Sequence, residues 1–154
     1  LKIAVFSDSH GFAAKMLSAI AELSPDMIVH LGDAGGDLAK IEKQFPLIPL
    51  RAVRGNCDLS STKSDTELFS VSGVRFFITH GHLFGAKNGT SELIERAKLL
   101  HADIVMFGHT HVPKNAMVGG LHVLNPGSCG FPPASFAVVD IDENGVASCR
   151  IIGL

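Results

Sequence analysis

At 154 residues the chain has the length of one domain, and with 46% hydrophobic and 18% charged residues it can bury a sizeable core and leaves no room for long solvated tracts. Thirteen Lys and Arg against fifteen Asp and Glu give a net charge of -2, which excludes an overall electrostatic attraction to nucleic acid or to an acidic membrane. No apolar run reaches the roughly 18 residues of a membrane span, so no membrane partner is expected.

The first apolar run, 2–6, is followed at once by Ser7-Asp8-Ser9-His10, without the features of a secretory signal, so a cytoplasmic location is expected. Stretches 2–6, 27–31, 50–53, 74–79 and 103–107 are short apolar runs between turn signals and read as buried strands. Between the first two, 12–23 carries Met16, Leu17, Ile20 and Leu23 at helical spacing and stops before Ser24-Pro25, which predicts a crossover helix. Stretch 90–100 repeats the pattern with Leu93, Ile94, Ala97 and Leu100 inward and Thr90 or Ser91 as the cap. After Gly108 the texture changes to strands at 121–124, 135–141 and 146–152, the last two joined by Glu143-Asn144-Gly145, so the end of the chain is expected to be antiparallel. The order predicts one domain over 1–154: a partly parallel sheet of βαβ units with C-terminal hairpins adding strands.

The strand runs end alike. Phe6 leads to Asp8 and His10, Leu31 to Asp33, Val53 to Asn56, Thr79 to His80, and Phe107 to His109 and His111. In an open α/β sheet ligands bind beyond the carboxyl ends of the strands, so groups spread over a hundred positions can converge there. Seven donors are too many for one ion. Carboxylate, amide and imidazole without thiolate suit Mn, Fe, Zn or Ni, and two ions about 3.5 to 4 Å apart, bridged by a carboxylate such as Asp33, would provide a hydroxide for in-line attack at phosphorus. Glycines 32, 55, 81 and 108 would let backbone pass close by.

Together the residues resemble the calcineurin-like metallophosphoesterases, whose pattern runs DxH, GD, GN followed by H or C and then D or E, H, and GHxH. Here it stands as Asp8-Ser9-His10, Gly32-Asp33, Gly55-Asn56-Cys57-Asp58, His80-Gly81-His82 and Gly108-His109-Thr110-His111. The match extends through Lys87-Asn88-Gly89 and Asn125-Pro126-Gly127-Ser128 and is nearest in character to the small YfcE-like phosphodiesterases. The resemblance implies an α/β fold of the four-layer αββα type, two mixed β-sheets flanked by helices. It also implies two divalent ions, Mn or Ni favoured and Fe or Zn acceptable. One would be held by Asp8, His10, Asp33 and His111, the other by Asp33, Asn56, His80 and His109. Asp33, Asn56, His82 and Asp58 are the residues expected to act in catalysis on a small phosphate ester, a phosphodiester before a monoester.

Two departures from the larger relatives stand out. Cys57 occupies the position where they carry a His as probable general acid, a feature shared with the small YfcE-like branch, and a thiol is a weak donor. The loop at Phe131-Pro132-Pro133-Ala134 is short and uncharged, which predicts an open rim with few cations. Outside the pattern, His30 reads as a satisfied core histidine, His101 as a helix-terminal one and His122 as a surface one. Cys129 and Cys149 read as small hydrophobes. Arg51 and Arg54 flank the Asn56 turn and are compatible either with phosphate contact or with solvent-facing strand ends. A rival reading is a protein-binding scaffold like the retromer subunit of vacuolar sorting; its altered ligand set contrasts with the seven donors retained here. A homo-oligomer is compatible with the sequence.

Overall fold

A computed structural model describes all 154 residues. In β1 (Lys2–Phe6), Ile3, Ala4, Val5 and Phe6 are all fully buried, so both faces of the strand need cover. Ala4 and Phe6 face Met16 and Ile20 of α1 (Ala14–Leu23), whereas Ile3 and Val5 point the other way, into a core shared with Phe76 and Ile78 of β5 (Val74–Thr79). The period-two alternation of one strand therefore already separates a helix layer from a second sheet.

The first sheet runs β10-β9-β1-β2-β3, with β2 (Met27–His30) and β3 (Leu50–Ala52) parallel to β1, and β9 (Ser135–Ile141) and β10 (Ala147–Gly153) forming an antiparallel hairpin on its other side. The second runs β4-β5-β6-β8-β7. Its β4 (Thr66–Val71), β6 (Ile104–Met106), β7 (Lys114–Val118) and β8 (Leu121–Asn125) make it mixed as well, since β5, β6 and β8 are parallel and the edges antiparallel. On the outer face of the first sheet lies α1, joined by Ile41 of α2 (Asp37–Gln44); on that of the second, Leu93 and Ala97 of α3 (Ser91–Leu99) pack on Phe77, Val105 and Val123. The architecture is the αββα sandwich that the resemblance implies.

The strand pattern by itself pointed to a single partly parallel sheet, and this is corrected: the two C-terminal hairpins go to different sheets. Three elements escaped the pattern. In α2 only Leu38 and Ile41 are large aliphatic residues, and β4 and β7 are the two edges of the second sheet, where Leu68 and Met117 face solvent. The first helix starts at Ala14 rather than at Phe12, which stays outside it, and ends as expected at Ser24 in a left-handed conformation. Thr90 does sit at the N-cap of α3, but its hydroxyl accepts a bond from Lys114 Nζ (3.1 Å) instead of capping the helix.

Candidate metal centre and active site

Both sheets deliver their C-terminal strand ends to one place. Asp8 follows β1, Asp33 follows β2 and Asn56 follows β3 in the first sheet; His80 follows β5, and His109 and His111 follow β6, in the second. Five of the seven expected donors, Asp8, His10, Asp33, His109 and His111, have φ between 48° and 67°, a left-handed conformation that costs a non-glycine residue energy. Each turn thereby breaks off its strand sharply and aims a donor atom back over the strand end.

Hydrogen bonds leave Asp8, Asp33 and His80 each with one atom turned to the cluster. The Oδ2 of Asp8 accepts from Ser7 Oγ (2.6 Å) and from the His109 N–H (3.0 Å), while its buried Oδ1 has no partner. At Asp33, Oδ1 accepts the Cys57 N–H (2.8 Å), and Oδ2 stands 3.3 Å from His80 Nε2. The His80 ring bonds through Nδ1 to the Leu31 carbonyl (2.8 Å), which can only accept; Nδ1 therefore carries the proton and Nε2 presents its lone pair. Asp8 Oδ1 lies 3.1 Å from His111 Nε2, 3.8 Å from His10 Nε2 and 3.9 Å from His80 Nε2.

Buried Asp8 Oδ1, His10 Nε2 and His80 Nε2 thus converge without a hydrogen-bond partner, in a protein interior where unpartnered polar atoms are costly. A cation resolves this, and the residues fit divalent metal: Asp8, His10 and His111 form one triad of ligand atoms, Asp8, Asp33 and His80 another, and His10, Asp33 and Cys57 a third. Asp8 and Asp33 each belong to two triads. His109 is in none of them, its ring standing 5.0 Å from that of His80, and the exposed Asn56 directs its amide Nδ2 toward Cys57 Sγ (3.4 Å).

Charge and burial pull against each other here. Burial pushes the Asp33 carboxyl up, but His80 and the Cys57 N–H outweigh it and hold it well below the usual carboxylate range. Burial lowers His80 too, yet Asp33 and Asp8 together raise it above an ordinary imidazole. His82 and His109 are both lowered, by burial and by the charge of His80, which favours the neutral form a ligand needs. Burial and then Asp33 raise the Cys57 thiol, so at neutral pH it stays protonated.

The expected catalytic set divides. His82, just past Gly81, has its ring 5.4 Å from that of His80 and a buried Nδ1 without a partner. Asp58 is different: its two oxygens accept the N–H groups of Asp33 (2.7 Å), Ala34 (3.0 Å), Gly35 (3.3 Å) and Gly55 (2.9 Å). It ties the Asp33 turn to the Asn56 turn and has no oxygen to spare for orienting an acid, so its expected role there is corrected to positioning. A Cβ on Gly55 would lie 2.0 Å from Asp33 Oδ1, and one on Gly108 1.9 Å from Ser7 Oγ; these glycines let backbone press against the ligand carboxylates.

Several supporting residues carried no recognisable signal in the sequence. Ser7 holds Asp8 from the adjacent position, and Ser128 Oγ donates to the Asp8 carbonyl (2.8 Å). Asn125 donates to the Gly108 carbonyl (2.9 Å) and to Thr110 Oγ1 (3.1 Å), clamping the histidine loop. The Asn125-Pro126-Gly127-Ser128 stretch belongs to the family resemblance, but its clamping role depends on contacts that the sequence does not encode. His30 accepts the Gly32 N–H at Nδ1 (3.2 Å) and therefore donates from Nε2 to Ser9 Oγ (3.1 Å), the satisfied core histidine expected. Arg54 pairs with Asp65 (2.7 and 3.1 Å), and Arg51 with Glu67 while lying over the Phe69 ring (4.4 Å), so both arginines are engaged away from the ligand cluster.

Against known proteins, residues 1–144 match the family model of the calcineurin-like phosphoesterase superfamily domain. The chain belongs to that superfamily. It is 32% identical over 158 residues, 97% of this chain and 89% of the other, to the probable metallophosphoesterase YsnB of Bacillus subtilis. To the phosphodiesterase YfcE of Escherichia coli K12 it is 29% identical over 170 residues, 92% and 89% of the two chains. The fold is also that of Vps29 from Entamoeba histolytica, solved with zinc, at a TM-score of 0.77 and 20% identity with 99% of both chains covered. This calcineurin-like chain is thus a hydrolase of phosphoester bonds, of a family that uses divalent metals. No helix is long and apolar enough to cross a membrane.

Proposed function

We propose that the chain hydrolyses small phosphodiesters with two divalent ions, one held by Asp8, His10, Asp33 and His111 and the other by Asp33, Asn56, His80 and His109. The observation that carries this reading is the convergence of buried Asp8 Oδ1, His10 Nε2 and His80 Nε2 without a hydrogen-bond partner. When bound, such ions supply Lewis acidity toward the phosphoryl oxygens and lower the pKa of water. Five of the seven donors are imidazole or amide groups, a set that favours Mn or Ni over Mg.

The protein's own contribution is preorganisation. His80, locked in one tautomer by Leu31, and Asp33, locked by Cys57 and through the Asp58 bonds to its turn, need no rearrangement to present their donors. His82 stands beside this cluster with a free Nδ1 to bind a phosphoryl oxygen or pass a proton to the leaving group. A thiol such as Cys57 is a weak donor, so esters with good leaving groups are favoured, and a diester reading agrees with the name that YfcE bears. That all seven donors of the family pattern stand in the sequence supports catalysis over a scaffold role.

The test is a screen of phosphodiesters and monoesters with the metal-reconstituted protein, before and after chelation, with elemental analysis. Diesters should be preferred, chelator should abolish hydrolysis, and Mn or Ni should restore it better than Mg with close to two ions per chain. Full activity in chelator overturns the metal mechanism; preference for monoesters overturns the substrate class.

A further inference from the structure

Ten phenylalanines are the only aromatic residues of the chain besides its histidines, and eight of them are buried or half-buried. The other two, Phe12 at 60% exposure and Phe131 at 42%, stand together at the ligand cluster. The Phe131 ring lies nearly parallel to that of His111, with centroids 5.9 Å apart and planes 9° from one another, and its centroid is 5.4 Å from that of His10. Phe12 meets Phe131 edge-on at 5.5 Å.

Neither ring hangs on a loose segment. The Phe131 N–H donates to Ser128 Oγ (3.1 Å), the same hydroxyl that holds the Asp8 carbonyl, and the Phe12 N–H donates to the carbonyl of Ser9 (2.8 Å), between Asp8 and His10. The two rings are therefore attached, through backbone hydrogen bonds, to the turn that carries two of the ligand candidates. Exposed Val112 directly follows His111, which extends the apolar character of this flank. The lysine bonded to this turn, Lys40, gives its ammonium to Asp37 Oδ1 (2.7 Å) and to the Gly11 carbonyl (3.3 Å). What the flank offers a ligand is a planar apolar surface, not a charge.

We propose that Phe131 and Phe12 are specificity-determining residues, a stacking platform for an aromatic ring, aryl or nucleobase, carried by the phosphoester. The assignment rests on the metal-dependent hydrolysis proposed above and adds the substituent to it. An aromatic ring gains from offset or edge-on contact with other rings beyond the area it buries, and a nucleobase stacks on a phenylalanine face for the same reason. An alkyl group of similar bulk gains only the area.

The test uses phosphonates, which resist hydrolysis, in calorimetric titrations of the metal-loaded protein: methyl-, cyclohexyl- and phenylphosphonate. Phenylphosphonate should bind about tenfold more tightly than methylphosphonate and clearly more tightly than cyclohexylphosphonate. In the Phe12→Ala/Phe131→Ala double variant the phenyl-to-methyl ratio should fall to about one or two. The ratio is taken within one protein, so a general change in phosphonate affinity cancels. Should that variant fail to fold or to keep its metal, Phe131→Leu retains the bulk and should still lose the preference for phenyl over cyclohexyl. Adenosine 5′-phosphonate separates the two sources of the ring: tighter binding than phenylphosphonate points to a nucleobase, weaker binding to a simple aryl group, and both keep the platform. Equal affinities for the phenyl and cyclohexyl ligands, or a preference that survives both variants, overturn it. Were the parent to hydrolyse no ester at all, the failure would lie with the proposed hydrolysis; hydrolysis with no ring preference is the failure of the platform alone.

Discussion

Asp8, Asp33 and His80, at the floor of the site, are 3% exposed or less, whereas Asn56, Cys57 and His111, at its rim, are exposed. On the floor every oxygen or nitrogen not aimed into the cluster has a partner from another part of the chain: Ser7 and His109 for Asp8, Cys57 for Asp33, Leu31 for His80. At the rim the contacts are local or aromatic, Asn56 with its neighbour Cys57 and His111 with Phe131. Burial explains the difference. A buried polar atom left unpaired is penalised, so the floor can hold open acceptors only where a cation will meet them, while rim groups use water freely and can vary with the substrate.

The sharpest way to break this comparison is to remove charge from the floor. Asp33→Asn should lose bound metal and on the order of 10³-fold in kcat/KM, because the carboxylate that would neutralise both ions is gone. His82→Ala, at the rim, should cost less, about 10- to 100-fold with metal content retained. Steady-state kinetics with elemental analysis of both variants checks this, and equal activity of Asp33→Asn and the parent removes the shared-ligand assignment.

The second way is acid. Burial holds the His30 imidazole down at about 4, against an ordinary 6.5 in the unfolded chain. Between these values the unfolded chain binds the proton that the folded one refuses. Stability contributed by neutral His30 is therefore fully present above pH 6.5 and is lost as pH falls through 4, about 3 kcal/mol in all. Urea unfolding of the metal-free protein at pH 7, 5.5 and 4.5 should show this loss in the parent and not in His30→Gln. Parallel pH profiles in the two proteins would contradict a neutral His30.

A smaller effect is expected where floor and rim are joined. Asp58→Ala strands the N–H groups of Asp33, Ala34, Gly35 and Gly55, and should lower metal affinity about 10- to 100-fold, as loss of a supporting hydrogen-bond partner does elsewhere. Asp58→Asn, which keeps acceptors for part of the set, should recover some of it. Loss of rate with unchanged metal affinity would instead return Asp58 to the chemistry.

Cys57→His tests the rim alone. With a thiol at this position, kcat/KM should depend steeply on leaving-group pKa, and an imidazole there should speed esters of poor leaving groups by about tenfold, at the low end of acid catalysis. Asp58 is not free to orient the new ring, because its oxygens already accept four backbone N–H groups, and the gain is therefore set low. A flat dependence in the parent would show that His82 already delivers the proton.

The order of strands and the identity of the donor atoms follow from local pattern. Strands 2–6, 74–79 and 135–141 are legible to the residue because apolar runs covered on both faces leave a continuous signal. Strands β4 and β7 are half-solvated edges, and α2 offers only two large aliphatic residues, so none of the three rises above the background of a polar loop. Likewise Asp8, Asp33 and His80 are marked by their place after a strand, the last two beside a glycine. Ser128, Asn125 and Ser7 have no such mark, because their partners lie on other strand ends or depend on a side-chain orientation that spacing does not encode.

By itself, then, the sequence determined which residue types meet at the strand ends, and in what order, since apolar runs and the turns that end them are properties of consecutive residues. Tertiary structure alone decided that the strands divide into two sheets, that His80 presents Nε2 and Asp8 presents Oδ1, that Asp58 serves backbone, and that two exposed phenylalanines share one flank of the site. Each of these depends on hydrogen bonds or packing between positions far apart in the chain, 49 residues for His80 and Leu31 and 120 for Ser128 and Asp8, and such pairings leave no period in the sequence.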